Sequence, residues 1–144
     1  WSPNWSSIIT VMDLFYSKKY IEETSGQVRA TIGIAESTYK FGKGRSVRLE
    51  TQHLWTKDDR KNWWSALAEI NLSSKVSIYA SDMYNYGNDL RKIHYFSLGG
   101  SYSKNRSRIS LNYGRQRGGL LCVGGVCRIV PESTGFNLTL NTSF

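Results

Sequence analysis

Hydrophobic and polar residues alternate along most of this chain. The pattern is clearest at the end, where Phe136, Leu138, Leu140, Thr142 and Phe144 form one set and Gly135, Asn137, Thr139, Asn141 and Ser143 the other. A period of two belongs to a strand whose two faces meet different surroundings. The same alternation sets Ile109, Leu111 and Tyr113 against Arg108, Ser110 and Asn112, and Phe96, Leu98 and Tyr102 against Ser97, Gly99 and Ser101. Upstream, Val76, Ile78 and Ala80 oppose Ser77, Tyr79 and Ser81. Trp64, Ala66, Ala68 and Ile70 oppose Ser65, Glu69 and Asn71, and Val47, Leu49 and Thr51 oppose Arg48, Glu50 and Gln52. Val28, Ala30, Ile32 and Ile34 oppose Arg29, Thr31, Gly33 and Ala35, and a first strand over 5–20 has a blurred pattern. Eight candidate strands, most about ten residues long, predict an antiparallel all-β fold.

The connections add a second pattern. Segments 41–45, 72–75 and 104–107 read as short turns, whereas 21–27, 57–62, 87–92 and 118–134 are mostly longer. Short and long therefore alternate, which in an up-and-down sheet places all short turns on one rim. Outer-membrane barrels sort their loops in this way. A faint internal echo, Ile9, Val11, Asp13 and Phe15 against Ile78, Ala80, Asp82 and Tyr84, suggests a four-strand unit used twice.

Composition narrows the class. With 144 residues, 40% of them hydrophobic, the chain predicts one folded unit over residues 1–144. Mean hydropathy is −0.43, and no charge-free run exceeds 12 residues, so a spanning helix of roughly 20 apolar residues is excluded. A barrel is not, because alternation halves the apparent hydrophobicity of each spanning strand. The chain opens on Trp1 without an initiator Met or a secretory leader, so the expectation is a processed product or a fragment. The net charge of +8 raises nucleic acid as a partner. No basic and aromatic cluster shares a strand face, however, so nucleic acid is not expected.

Eight antiparallel strands suit two opposite proteins: a soluble lipocalin-like barrel that is apolar inside, or a transmembrane barrel that is apolar outside. A soluble surface favours Lys and Glu, yet the polar faces here are mostly Ser, Asn, Thr, Gly and Gln. Lys18, Lys57, Lys61 and Lys92 fall toward the long loops, and Lys40, Lys43, Lys75 and Lys104 at the short turns. Trp5, Tyr39, Phe41 and Tyr102 fall near the short-turn rim, and Trp55, Trp63, Trp64, Tyr84, Tyr86 and Tyr95 near the other, like the aromatic belts of membrane proteins. The expectation is an outer-membrane barrel with a structural or transport role. Arg48, Glu50, Glu69 and Arg108 would form a polar lumen network, more a plug than a selectivity filter. Rim cations would meet outer-membrane lipid and lipopolysaccharide. Asp13 and Asp82 resist this scheme, since strict alternation puts both on the greasy face; a bulge that shifts register, or a position already above the band, would reconcile them.

Three local features complete the reading. Phe136, Leu138, Leu140 and the terminal Phe144 resemble the C-terminal signature read by the barrel assembly machinery through strand addition. Cys122 and Cys127 flank Val123-Gly124-Gly125-Val126, a hairpin that would set them opposite each other with Cα atoms roughly 4.5–5.5 Å apart. That spacing is near the disulfide range, so a cross-strand bridge is expected, which needs an oxidising compartment. Asp82, His94 and Ser97 could suggest an outer-membrane hydrolase, but alternation sets His94 and Ser97 on opposite faces, against the convergence a triad needs. No catalytic, metal or cofactor site is expected.

Several separated motifs carry a resemblance: Arg48-Leu49-Glu50-Thr51-Gln52-His53-Leu54, Met83-Tyr84-Asn85-Tyr86-Gly87-Asn88, Tyr113-Gly114-Arg115-Gln116-Arg117-Gly118-Gly119, the cysteine hairpin and the terminal strand. From Val47 to Phe144 the chain is similar to an uncharacterised outer-membrane β-barrel family of Bacteroidota. The resemblance implies the bacterial outer membrane as location and the last strands of a larger barrel as fold. The resemblance supplies a place and a fold but no chemistry; other outer-membrane subunits are expected as partners from the structural or transport role. A closed eight-stranded barrel also fits the strand count.

Overall fold

The computed structural model describes residues 3–17, 26–57, 61–89, 92–123 and 126–143. Ten strands follow one another: β1 (Trp5–Ser17), β2 (Gln27–Gly42), β3 (Arg45–Thr56), β4 (Trp63–Asn71), β5 (Val76–Tyr84), β6 (His94–Lys104), β7 (Ser107–Gln116), β8 (Gly119–Val123), β9 (Val126–Val130) and β10 (Ser133–Thr142). Eight of them form one up-and-down antiparallel sheet in the order β1-β2-β3-β4-β5-β6-β7-β10, and β8 and β9 form a separate hairpin. The alternation thus translates into strands almost one for one. The one-rim sorting of turns also holds: β2 and β3, β4 and β5, and β6 and β7 are joined by segments 43–44, 72–75 and 105–106. Tight turns of this kind need positive φ, supplied at Lys43 (φ 53°), Gly44 (φ 72°) and Asn105 (φ 54°).

The sheet does not close. β1 and β10 are its two free edges and do not pair with each other, so the eight-stranded closed barrel is corrected to an open sheet. The strands are nonetheless staggered as tilted strands are. Leu138, in the middle of β10, leads straight across the ladder through Leu111, Gly100, Ile78, Ile70, Val47 and Tyr39 to Trp5, the first residue of β1. Progressive displacement of this sense lets a tilted sheet span a layer of constant thickness.

Register assigns every residue to a face. One face carries Leu49, Ile70, Ile78, Leu98, Leu111 and Leu138; the other carries Arg48, Glu50, Glu69, Ser81, Ser97, Ser101 and Asn112. The ladder is continuous from β1 to β5 apart from one irregularity at Lys40/Gly42. No bulge therefore diverts Asp13 or Asp82, and both stay on the greasy face, so of the two expected remedies the register shift is corrected. A second correction concerns β2. Its run Val28, Ala30, Ile32 and Ile34 shares a face with Glu36, and Glu36 stands opposite Glu50. This apolar run thus lies on the polar side of the sheet, and β1, with Ile8, Met12 and Leu14 on one face and Ile9, Val11 and Phe15 on the other, is apolar on both. That two-sided character is what blurred its alternation.

Candidate functional site

The distribution of exposure across the two faces is the reverse of a water-soluble sheet. On the greasy face Leu98 is 59% exposed, Leu138 67% and Ile9 80%. On the other face every even-numbered residue of β3 from Ser46 to Thr56 is half-buried, and the Glu50 side chain is only 17% exposed. The four buried hydrophobic residues of the described strands, Val28, Ala30, Trp63 and Tyr95, all belong to this polar face. Soluble domains shelter apolar groups and expose charged ones, so this sheet shelters the face that a soluble one would expose.

The centre of the polar face is a charge cluster. The Arg48 guanidinium donates from Nη2 (3.0 Å) and Nε (3.3 Å) to Glu69 Oε2, and from Nη1 to Glu50 Oε2 (3.3 Å) and Glu36 Oε2 (3.4 Å). Gln52 donates to the other Glu50 oxygen, and Asn71 to Glu69 Oε1 (3.4 Å). Strands β2, β3 and β4 each contribute a carboxylate because Arg48 stands directly opposite Glu69 while Glu36 and Glu50 are cross-strand neighbours. Of the four residues singled out in the sequence, Arg48, Glu50 and Glu69 come together. Arg108 instead donates to Ser101 Oγ at 3.0 Å, with no carboxylate partner among the described residues. Glu36 was missed because it is in phase with Ile32 and Ile34, which classed its face as apolar.

Nearer the long-loop rim the polar face holds an aromatic and cationic cluster that sequence reasoning also missed. Trp63 stacks on Tyr95 at 6.1 Å. Arg117 lies 4.6 Å over the Trp63 ring and Arg115 5.7 Å over Tyr95, while Arg115 and Tyr95 both donate to Glu132. These contacts link the ends of β7 and β10 to β4 and β6, fixing the base from which the β8–β9 hairpin projects. On a neighbouring connection, the Lys61 ammonium beside Asp89 holds that carboxyl below the usual carboxylate range.

The greasy face answers the two anomalous carboxylates with cross-strand partners. Asp13 faces Thr31 in register and accepts from Arg29 Nη2, two residues earlier on β2, at 2.9 Å. Asp82 faces Phe96 and bonds His94 Nδ1, two residues earlier on β6, at 2.6 Å. The faint sequence echo between β1 and β5 is therefore a repeated piece of geometry: an aspartate near the long-loop end, hydrogen-bonded diagonally to the next strand. His94 also stacks on Tyr84 at 4.0 Å. One cross-strand row carries His53, Trp64, Tyr84 and His94, with Trp55 against His53 at 4.0 Å and the Tyr86 hydroxyl on His53 Nε2 at 2.6 Å. At the other rim Tyr39 and Phe41 meet edge to face at 4.9 Å, and Trp5 donates to Ser37. Aromatic rings thus border the greasy face at both ends. Among the residues weighed as a hydrolase triad, His94 and Asp82 are bonded, but Ser97 points to the opposite face, where it donates to Asn112 at 2.8 Å.

The strand signature residues Phe136, Leu138 and Leu140 lie on the outermost strand, all exposed; Phe144 lies outside the described residues. The β8–β9 register sets Cys122 opposite Cys127 and Val123 opposite Val126, the pairing read from the sequence. The cysteine side chains lie outside the described residues, and no disulfide occurs among the described ones.

This architecture defines an all-β protein built on an eight-stranded up-and-down antiparallel sheet, with no catalytic constellation evident among the described residues. The chain belongs to the family of unknown function DUF6029, which matches residues 1–144 and so extends beyond the segment from Val47 onward that carried the resemblance. No curated protein and no solved structure matches it.

Proposed function

We propose that this chain is part of a bacterial outer-membrane β-barrel, its greasy face toward lipid and its polar face toward the lumen, with a structural or transport role and no catalysis. The observation that carries this reading is the inverted exposure, Leu98 and Leu138 open while Glu50 and Arg48 are sheltered. Aromatic rows at both ends of the greasy face sit where amphipathic rings favour headgroup depth. In hydrocarbon a free sheet edge leaves backbone groups without partners, so β1 and β10 are completed by further strands of a larger barrel. The half-buried Arg48 cluster would act as a lumen plug. Outer-rim cations such as Lys57 and Lys92 suit lipopolysaccharide phosphates, β10 suits the barrel assembly machinery, and other outer-membrane subunits are candidate partners.

One observation favours a second reading, a soluble lipocalin-like ligand binder. A trough of about 830 Å³ crosses the greasy face. Fractionation separates the two. Expressed with an export signal, the protein should partition to the outer membrane and migrate faster on gels unheated than boiled; recovery as a detergent-free monomer overturns the membrane reading. The oxidising location also predicts a Cys122–Cys127 disulfide. Alkylating the denatured, unreduced protein should then add no mass, and labelling of both thiols refutes the bridge.

A further inference from the structure

The short-turn end of the polar face carries cations that the Arg48 cluster does not use. Arg108 stands opposite Ser103 in register, and the Ser103 amide donates to the Lys75 carbonyl at 2.8 Å. Lys75, Ser103 and Arg108 therefore follow one another across the start of β5, the end of β6 and the start of β7, all in phase with the polar face. Two strand spacings, roughly 10 Å, separate the two cations. A pocket of about 240 Å³ lies among them, lined also by Ser77 and Ser101. Arg108 reaches into this lining: Nη2 donates to Ser101 Oγ at 3.0 Å, and that hydroxyl is 2.8 Å from Ser77 Oγ. Neither Lys75 nor Arg108 has a carboxylate partner among the described residues. The one carboxylate in the pocket wall, Glu69, is already engaged, by Arg48 at Oε2 (3.0 Å) and by Asn71 at Oε1 (3.4 Å).

We infer that this pocket binds a small tetrahedral oxyanion of the phosphate class, held between the Lys75 ammonium and the Arg108 guanidinium with Ser103 between them. An anion that bridges the two cations relieves their mutual repulsion and gains a charge-assisted hydrogen bond from each. The guanidinium offers paired donors to two oxygens, and the ammonium meets a third as a point charge. A planar carboxylate has too few oxygens for this set, and chloride has no directional acceptors for it. Size agrees: a water takes about 30 Å³, so the pocket holds such an anion with several waters. Both cations are exposed, so the binding is weak and falls with salt. The inference uses only the short-turn end of the polar face and is independent of whether the other face meets lipid.

The test is titration calorimetry of inorganic phosphate into the folded full chain, in detergent where extraction needs it, near neutral pH and at fixed ionic strength. Sodium chloride is the reference titrant. One phosphate per chain should bind with a Kd on the order of 1 mM, as two charge-assisted hydrogen bonds predict, and chloride should give no saturable heat. Arg108→Gln should weaken phosphate binding about tenfold by removing one of those bonds. Lys75→Gln should weaken it about as much, and it carries the test alone should Arg108→Gln not fold. Lys92→Gln removes the same charge at the long-loop rim and should leave the affinity unchanged. Absence of saturable phosphate binding, chloride binding as tight as phosphate, or a loss in Lys92→Gln as large as in Arg108→Gln overturns the proposal, the last because it marks attraction to net charge alone. Failure of the membrane reading is distinct: it shows in fractionation, before any anion is added.

Discussion

Replacing Arg48 by Met lowers the unfolding free energy by about 2–4 kcal/mol, because removing one partner of a sheltered ion cluster leaves the others uncompensated. The magnitude stays below that of a fully buried pair, since the Arg48 side chain is still 34% exposed. Three carboxylates, from Glu36, Glu50 and Glu69, then share one region of the polar face with no cation among them. Denaturant unfolding of the detergent-solubilised protein reads the loss. The cause is checked by rescue. Adding Glu36→Gln and Glu69→Gln to Arg48→Met should recover most of the stability, because amides replace the repelling charges while Gln52 still bonds Glu50. If the triple variant is no more stable than Arg48→Met alone, the cluster acts through packing of the arginine stem. Arg108→Met provides the contrast. Its bond to Ser101 is a single exposed contact, so its loss should cost about 1 kcal/mol or less.

How much of this was legible in the sequence depends on whether a residue's neighbours lie along the strand or across it. The faces of β3 to β7 and β10 follow from alternation alone, since Leu49, Ile70, Ile78, Leu98, Leu111 and Leu138 meet on one side as the pattern implies. β2 breaks the inference because its even positions change character midway, apolar from Val28 to Ile34 and then Glu36 and Thr38. Only the register with β3 shows that both halves share one face. The partners of Asp13 and Asp82 were illegible for the same reason. Arg29 and His94 lie on following strands across long connections, and their diagonal placement depends on a register no local pattern encodes. A bulge was the local remedy; cross-strand pairing was the actual one. The Trp63–Tyr95 cluster was assigned to the correct rim but to no face, because its cationic neighbours Arg115 and Arg117 lie at the end of β7 and beyond, where strand alternation no longer constrains direction.

Leu98→Arg discriminates most sharply between the environments that the greasy face could meet. Leu98 lies midway along β6, opposite Ala80 and Tyr113, and is 59% exposed. Were this face in water, exchanging an exposed leucine for arginine would change stability by only about 0.5 kcal/mol in either direction. Facing hydrocarbon, the same charge near mid-depth costs about 2–4 kcal/mol. The expected result is the second, with a matching loss of the heat-modifiable form and of outer-membrane yield. Ser101→Arg is the companion variant. Ser101 is two strand positions from Ser103 and on the opposite face from Leu98, beside Ser77 and Ser110. An arginine there enters polar surroundings next to Arg108, so the penalty should be like-charge repulsion alone, about 1 kcal/mol or less and reduced by salt. A cost that follows the face and not the charge supports lipid against Leu98. Equal tolerance of both substitutions places the greasy face in water and overturns the membrane reading.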